Sequence, residues 1–406
     1  MNQNTLKPDY KKIAEEYGTP SYIFDISLLQ KRMRQINQLA GNKIHLCYSI
    51  KANPFLIPAM LELECIEKLE VCSPGELDIC KAYSVLPEKI IYSGVNKTKQ
   101  NIHEAVSYNA GIYTAESILQ VKELEEEGKL NGKVLPVLLR LTAGSQFGMS
   151  KEDLYSIISE RNDYSHIQIK GIHFFAGTQR KRSTEQQKDI QTLEAVMDEL
   201  KEKYDFTTEE IEYGPGLPHP YFEGDDFSDT LAPLKAIIPD LQRLSSKTEL
   251  TIEAGRFFVS DCGTYLTTVM DTKNNAETNY VILDGGINHL AYLGQIMGMK
   301  VPVIEVVSKS TAKASTEPQN YIEQTLCGSL CTTADVLVRK VSLPALQYGD
   351  TLAFKNCGAY SITEGMYLFL SRTMPKVILY NSTKPDSQKI IVARDFVESS
   401  ALNSLH

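Results

Sequence analysis

Between residues 44 and 253, short runs of β-branched and aromatic side chains alternate with longer stretches of helical period. The runs lie at 44–48 (IHLCY), 68–72 (KLEVC), 90–93 (IIYS), 111–114 (GIYT), 134–141 (VLPVLLRL), 167–174 (IQIKGIHF), 211–213 (IEY) and 248–253 (TELTIE). Between them, 55–63, 74–83, 115–127, 151–161 and 186–204 carry apolar residues near three-to-four spacing. A strand that always gives way to a helix pairs in parallel with its successor. Eight such units over roughly 210 residues suit a closed (β/α)8 barrel, with an open doubly wound sheet as the competitor.

After about Gly263 the texture changes to short strands and turns, at 280–283, 302–307, 324–327, 336–341 and 351–356. Asp271–Thr278 reads as a hairpin turn and the polar stretch Ser308–Asn320 as a loop. The expected organisation is an N-terminal segment, 1–40, whose strand near 21–24 pairs into the last domain, then a barrel over 41–262 and a β domain over 263–406. At 406 residues the chain exceeds what one core fills. No apolar run reaches membrane-spanning length, and a net charge of −9 gives no footprint for nucleic acid, so neither partner is expected. Met1-Asn2-Gln3-Asn4 lacks the start of a signal peptide and the eight Cys show no C-x-x-C pair; reduced thiols and a cytoplasmic location are the expectation.

Chemistry in such a barrel belongs to the loops after the strands. Tyr48-Ser49-Ile50-Lys51-Ala52-Asn53-Pro54 follows the first barrel strand, and a lysine there can carry a Schiff base because partial burial favours the neutral amine. Taken alone, such a lysine is more often a solvated loop residue. Gly214-Pro215-Gly216 follows the seventh strand and Glu253-Ala254-Gly255-Arg256 the eighth, the recurrent phosphate site of this fold. Thr178 after the sixth strand adds a hydroxyl. Glu253 ends a buried strand and needs a cation, either a protonated pyridine nitrogen or a barrel lysine or arginine. Cys327 and Cys331 are four apart without a neighbouring His, so no metal site is expected.

In this order YSIKANP, SPGEL (Ser73–Leu77), EAGR, CGSLCTTAD (Cys327–Asp335) and CGAY (Cys357–Tyr360) resemble the motifs of the fold-type III pyridoxal-phosphate decarboxylases, the diaminopimelate and ornithine decarboxylase family. The resemblance covers essentially the whole chain. It implies an alanine racemase-like (β/α)8 barrel with a C-terminal β-barrel or β-sandwich domain, and pyridoxal 5'-phosphate as cofactor. It also implies Lys51 as the Schiff-base lysine, Glu253 at the pyridine nitrogen, and a cofactor site of Phe175, Thr178, Gly214, Gly216, Ala254, Gly255, Arg256 and Tyr360. Cys331 becomes the proton donor, in a homodimer whose subunits share active sites.

The departures bear on substrate. Phe175 stands where many relatives have a stacking His. Thr332 follows Cys331 where diamine-forming relatives place an acid, and 284–295 (DGGINHLAYLGQ) lacks the arginine that diaminopimelate decarboxylases carry for a distal carboxylate. Thr332, Asn288 and His289 are the candidate substrate residues. The GGINH, Cys-Thr and Phe369–Arg372 (FLSR) segments look more like the specialised-biosynthesis branch, of antibiotic or siderophore type, whose butirosin-pathway member acts on a carrier-bound glutamyl group. An amino acid with a neutral, conjugated or carrier-linked side chain is implied; Arg180-Lys181-Arg182 could dock an acidic carrier, although such a basic run is more often a solvated loop. The alternatives are a diaminopimelate decarboxylase of lysine biosynthesis, a racemase, or a non-catalytic regulator-binding homologue. Racemases of this fold place Arg at the pyridine nitrogen, and retention of Lys51, Glu253, Arg256 and Cys331 argues against a non-catalytic chain.

Overall fold

Strands β2 (Ile44–Ser49), β3 (Ile66–Val71), β4 (Ile90–Tyr92), β5 (Ile112–Ala115), β6 (Leu135–Leu141), β7 (Ile167–Phe175), β8 (Glu210–Gly214) and β9 (Glu249–Ala254) close in that order into a parallel barrel; β1 (Ser21–Asp25) precedes them. The computed structural model describes residues 7–292, 298–307 and 320–404, so the expected loop over 308–319 and the end of the DGGINHLAYLGQ segment lie outside the described residues. The chain forms two units: Arg32–His219 with Asp229–Phe258, which holds the barrel, and the remainder, which includes Pro220–Ser228 and everything from Val259. The helix Ile26–Ala40 therefore divides at Lys31, and a short stretch after His219 leaves the barrel unit, details that periodicity does not carry.

Local chemistry sets the alternation. Ser73, Thr98, Ser117 and Ser150 each cap a helix by accepting a hydrogen bond from the backbone N–H three residues on. The helix Lys99–Ser107 escapes a periodicity reading because only Ile102, Ala105 and Val106 are buried. On the strands, Tyr48 and Tyr113 are enclosed, and their hydroxyls donate to the carbonyls of Asn53 and Ala105. Full burial of such side chains stabilises by roughly 1.5–3 kcal/mol each. Cys47, Ile91, Ile112 and Leu138 pack together as an apolar cluster. Nearer the C-terminal ends of β2, β3, β7 and β9, Ser49, Glu70, His173 and Glu253 are buried and polar. The barrel is thus apolar below and charged toward its C-terminal ends.

The second unit holds a mixed nine-stranded sheet made by β1 with β10 (Gly263–Asn275), β11 (Thr278–Leu283), β12 (Ile304–Val307), β13 (Tyr321–Cys327), β14 (Val336–Pro344), β15 (Thr351–Lys355), β16 (Lys376–Tyr380) and β17 (Ile390–Arg394). β1 lies inside it, antiparallel to β10 and parallel to β16. The expected turn at 271–278 shrinks: β10 runs through Asn275 and the reversal falls at Ala276, with φ 55°. β17 shows no alternation of burial, which is why the sequence does not reveal it.

Candidate active site

Lys51 sits on a single 3-10 turn (Ile50–Ala52) directly after β2. Asn53 fixes the turn: its side chain accepts from Phe55 N at 3.1 Å, and its carbonyl accepts from Tyr48 Oη at 2.8 Å. Lys51 Nζ then lies 2.6 Å from Glu70 Oε2, 3.5 Å from Glu253 Oε1 and 3.6 Å from Cys72 Sγ. The lysine side chain is 37% exposed, whereas the two carboxylates are 3% and 5% exposed. Its ammonium is thus a counter-charge for acids that burial would otherwise neutralise.

Glu253 also accepts from Ser49 Oγ at 2.8 Å and pairs with His173 Nε2 at 3.0 Å. Burial pushes its carboxyl up, but the charge of Lys51 and the bond and charge of His173 outweigh that and hold it well below the usual range. One donor or acceptor atom from each of Glu70, His173 and Glu253 lies within 4.8 Å of the others, and the cation serving this group is Lys51. Phe175 keeps a flat face in the site while the hydrogen bond falls to His173, two residues earlier on the same strand. Sequence reasoning missed His173, Glu70 and Ser49; their signal was polar residues in strands otherwise apolar.

The loops after β7, β8 and β9 converge. Gly216 has φ +62°, and a Cβ there would stand 1.8 Å from Gly177 O. Arg180 N donates to Gly216 O at 3.0 Å. Gly255 approaches Ala52 so closely that a Cβ would be 2.7 Å from the Ala52 methyl, and Gly214 meets the Phe175 ring in the same way. Arg256 Nε donates to Thr178 Oγ1 at 3.3 Å. Ala254 closes β9 beside Tyr48. A cavity of about 570 Å³ opens at the Lys51 cluster, lined by Lys51, Glu70, Cys72, His173, Phe175 and Glu253 among others. Arg140 also borders it, but pairs with Glu116 at 2.7 Å and stacks on Phe147.

Cys331, Thr332 and Tyr360 belong to the other unit. Cys331 is exposed and Thr332 partly so. Asp335 organises their loop, a role the sequence did not disclose: Oδ1 accepts from Ile287 N at 2.9 Å and Oδ2 from Leu330 N at 2.7 Å. Gly286 and Gly328 leave room for that carboxylate, since a Cβ on either would fall within 2.5 Å of it. Arg372 Nη2 donates to Ser329 O at 2.6 Å. Tyr360 adopts φ 64°, a left-handed backbone that bulky residues hold only where the surroundings impose it.

Two expectations are corrected. Asn288 and His289 are 0% and 2% exposed. His289 Nδ1 lies 3.2 Å from Tyr265 Oη, and Nε2 lies 2.8 Å from Thr373 O and 2.9 Å from Asn288 Nδ2. They pin the interior of the β unit and present no surface to a substrate. Within the basic run at 180–182, Arg180 is engaged too, in a bidentate pair with Asp189 on the following helix and near Glu185, whereas the Arg182 side chain is 83% exposed.

An aldehyde cofactor with a pyridine ring and a phosphate needs an amine, an acceptor for the ring N–H, a flat face and converging backbone donors. Lys51, Glu253, Phe175 and the Gly216–Gly255–Arg256 loops of the barrel unit are groups of these four kinds and fit such a cofactor, as expected of a (β/α)8 enzyme of the pyridoxal phosphate class. Residues 26–260 match the model of the pyridoxal-dependent decarboxylase, pyridoxal binding domain, and the chain belongs to that family. It is 27% identical to the L-glutamyl-[BtrI acyl-carrier protein] decarboxylase of Niallia circulans, over 93% of this chain and 92% of that one. It is 28% identical to the diaminopimelate decarboxylase of Bacillus subtilis, over 86% and 83%. A third relative, 27% identical over 92% and 97%, is the 2-[(L-alanin-3-ylcarbamoyl)methyl]-2-hydroxybutanedioate decarboxylase of Staphylococcus aureus. The diaminopimelate decarboxylase of Methanocaldococcus jannaschii in complex with L-lysine shares the fold at a TM-score of 0.82, with 24% identity over 97% and 93% of the two chains. The protein is a pyridoxal phosphate-dependent amino-acid decarboxylase. No helix among the described residues is long and apolar enough to cross a membrane.

Proposed function

We propose that the enzyme removes the α-carboxylate of an amino acid whose side chain ends in a neutral or conjugated group, including one tethered to a carrier protein, in a specialised biosynthetic pathway. The observation that carries this reading is Asp335. It is the lone acid of the Cys327–Asp335 loop, and both its oxygens are engaged by the backbone N–H groups of Ile287 and Leu330. A distal ammonium finds no counter-charge in that loop. A distal carboxylate likewise lacks an arginine in 284–292. Two of the relatives are named for substrates of conjugated type, one a carrier-bound glutamyl group and one a carbamoyl-linked alanine.

Pyridoxal phosphate, when bound, supplies the electron sink for the pair that CO₂ leaves behind. In this reading the Lys51 amine would hold the cofactor. Glu253, kept ionised, holds the proton at the ring nitrogen, and Ser49 and His173 fix its two oxygens. Thr178, Gly216, Gly255 and Arg256 hold the phosphate, joined by Tyr360. Cys331 Sγ delivers the proton to the α-carbon. Cys331 and Tyr360 serve the barrel of a second copy, in a cytoplasmic homodimer with shared sites.

The test is CO₂ release from a panel of free glutamate, diaminopimelate, lysine and ornithine, side-chain amides, and carrier-tethered glutamyl groups. Turnover confined to neutral or conjugated substrates is expected. Efficient turnover of diaminopimelate would overturn the reading in favour of lysine biosynthesis. In a parallel check, Lys51→Ala abolishes the visible absorption band of the lysine-bound cofactor.

A further inference from the structure

The thiol of Cys72 lines the cavity at Lys51, and none of these roles uses it. It stands two residues after Glu70, where β3 gives way to the helix Pro74–Ala82, and its backbone is held on both sides. The Cys72 N–H donates to Glu76 Oε2 at 2.6 Å. The loop after β4 presses on the Cys72 carbonyl: Gly94 has φ +102°, and a Cβ there would lie 2.4 Å from Cys72 O, an approach that glycine alone allows. The side chain thus starts from a fixed point.

From there Cys72 closes a ring with the lysine and the acid. Lys51 Nζ donates to Cys72 Sγ at 3.6 Å, the Cys72 S–H donates to Glu70 Oε1 at 3.1 Å, and Glu70 Oε2 accepts from Lys51 Nζ at 2.6 Å. One sulfur accepts and donates at once, which a thiol can do and a thiolate cannot. Burial first, and then Glu70, pushes the thiol well above its usual range; Lys51 opposes, and Glu76 and Glu253 add to the rise. Sγ therefore keeps the hydrogen that the ring needs. Glu70 is 3% exposed, and a buried carboxylate with one oxygen on the thiol and the other on the ammonium has one orientation.

We propose that Cys72 is a positioning residue: its thiol holds the Glu70 carboxylate with Oε2 aimed at Lys51, and so fixes where the Lys51 amine stands in the cavity. The role rests on the reading that Lys51 holds the cofactor. Lys51 is 37% exposed on a flexible four-carbon stem, and an amine that must meet a carbonyl carbon at a set angle gains from an anchor. Glu70 is that anchor, and Cys72 keeps it from turning.

The experiment reads the thiol directly, by infrared spectroscopy of the S–H stretch in the full-length apoprotein, which has eight Cys, on the parent, Cys72→Ala and Cys72→Ser. Subtracting either variant from the parent isolates the Cys72 band, so one folded variant suffices. The band should fall at lower frequency than that of an unbonded thiol. Binding of pyridoxal phosphate, followed by the absorption of the lysine-bound cofactor, should weaken by about tenfold in Cys72→Ala, the effect of taking a donor from a buried charged acceptor. Cys72→Ser keeps a donor and an acceptor and should recover most of that loss. A Cys72 band at the unbonded frequency would overturn the proposal, and so would parent-like binding in Cys72→Ala. A loss in Cys72→Ser equal to that in Cys72→Ala would overturn it too, since the packing of the sulfur rather than its hydrogen bonds would then matter. A parent that takes up no pyridoxal phosphate would sink the functional reading, and the infrared band alone would then decide whether the thiol holds Glu70.

Discussion

His173 Nε2 lies 3.0 Å from Glu253 Oε2, with the two side chains 1% and 5% exposed. A buried carboxylate in this position survives as an anion only through its partners. Because Ser49 and Lys51 reach it from the end of β2 and His173 from β7, its charge depends on barrel closure rather than on any local motif.

That dependence has a pH signature. Glu253 has a folded pKa below its ordinary value, so its charge contributes stability above about pH 4.5 that is lost as pH falls through the lower folded value. Glu253→Gln removes one of the two carboxylate partners of Lys51 and the charged partner of His173, and should destabilise by about 3 kcal/mol at neutral pH. The deficit should shrink in acid. Urea unfolding of the apoprotein at neutral and acidic pH measures both limbs.

Glu212 should behave oppositely. Its folded pKa is raised, so the native state holds a proton that the unfolded chain releases, and stability declines as pH rises above about 4.5. Glu212→Gln lacks this term. Its melting temperature should equal or exceed that of the parent at neutral pH, with the advantage fading toward pH 4, as differential scanning calorimetry would record.

In the β unit, burial lowers the His289 imidazole to about 4. The unfolded chain takes up a proton near pH 6.5 that the native state refuses, so stability should fall between about pH 6.5 and 4, by on the order of 3 kcal/mol in total. His289→Gln should flatten that slope in pH-dependent denaturant titrations, at some cost in stability from the altered contacts to Tyr265 and Thr373.

Gly216→Ala meets two obstacles, a φ of +62° and a Cβ 1.8 Å from Gly177 O. The loop must shift, and pyridoxal phosphate should dissociate at least about tenfold more readily, a loss of ~1.4 kcal/mol. Equilibrium dialysis of the cofactor, with circular dichroism as a check on folding, tests this.

The alternation of strand and helix pointed to parallel strands before any contact was known, but it left a closed barrel and an open doubly wound sheet both available, and only the structure shows closure. Contiguous motifs likewise marked Lys51, the Gly214–Gly216 turn and Glu253–Arg256 as candidates, since glycine loops and strand-end charges are local signals, whereas Cys331 was singled out only by the family resemblance. Other features are not local. Glu70, His173 and Glu212 lie inside strands that read as ordinary, and only closure of the barrel turns them toward the same interior as Glu253. The same holds where expectation failed: Asn288 and His289 follow a promising glycine pair but fold inward, and Arg180 is paired with Asp189 nine residues on. Sequence determined which groups the protein owns and the order in which the strands run. Tertiary structure decided which acids share one lysine, which keeps its proton and which polar residues face a cavity, because burial and separation across strands set the energy of a charge.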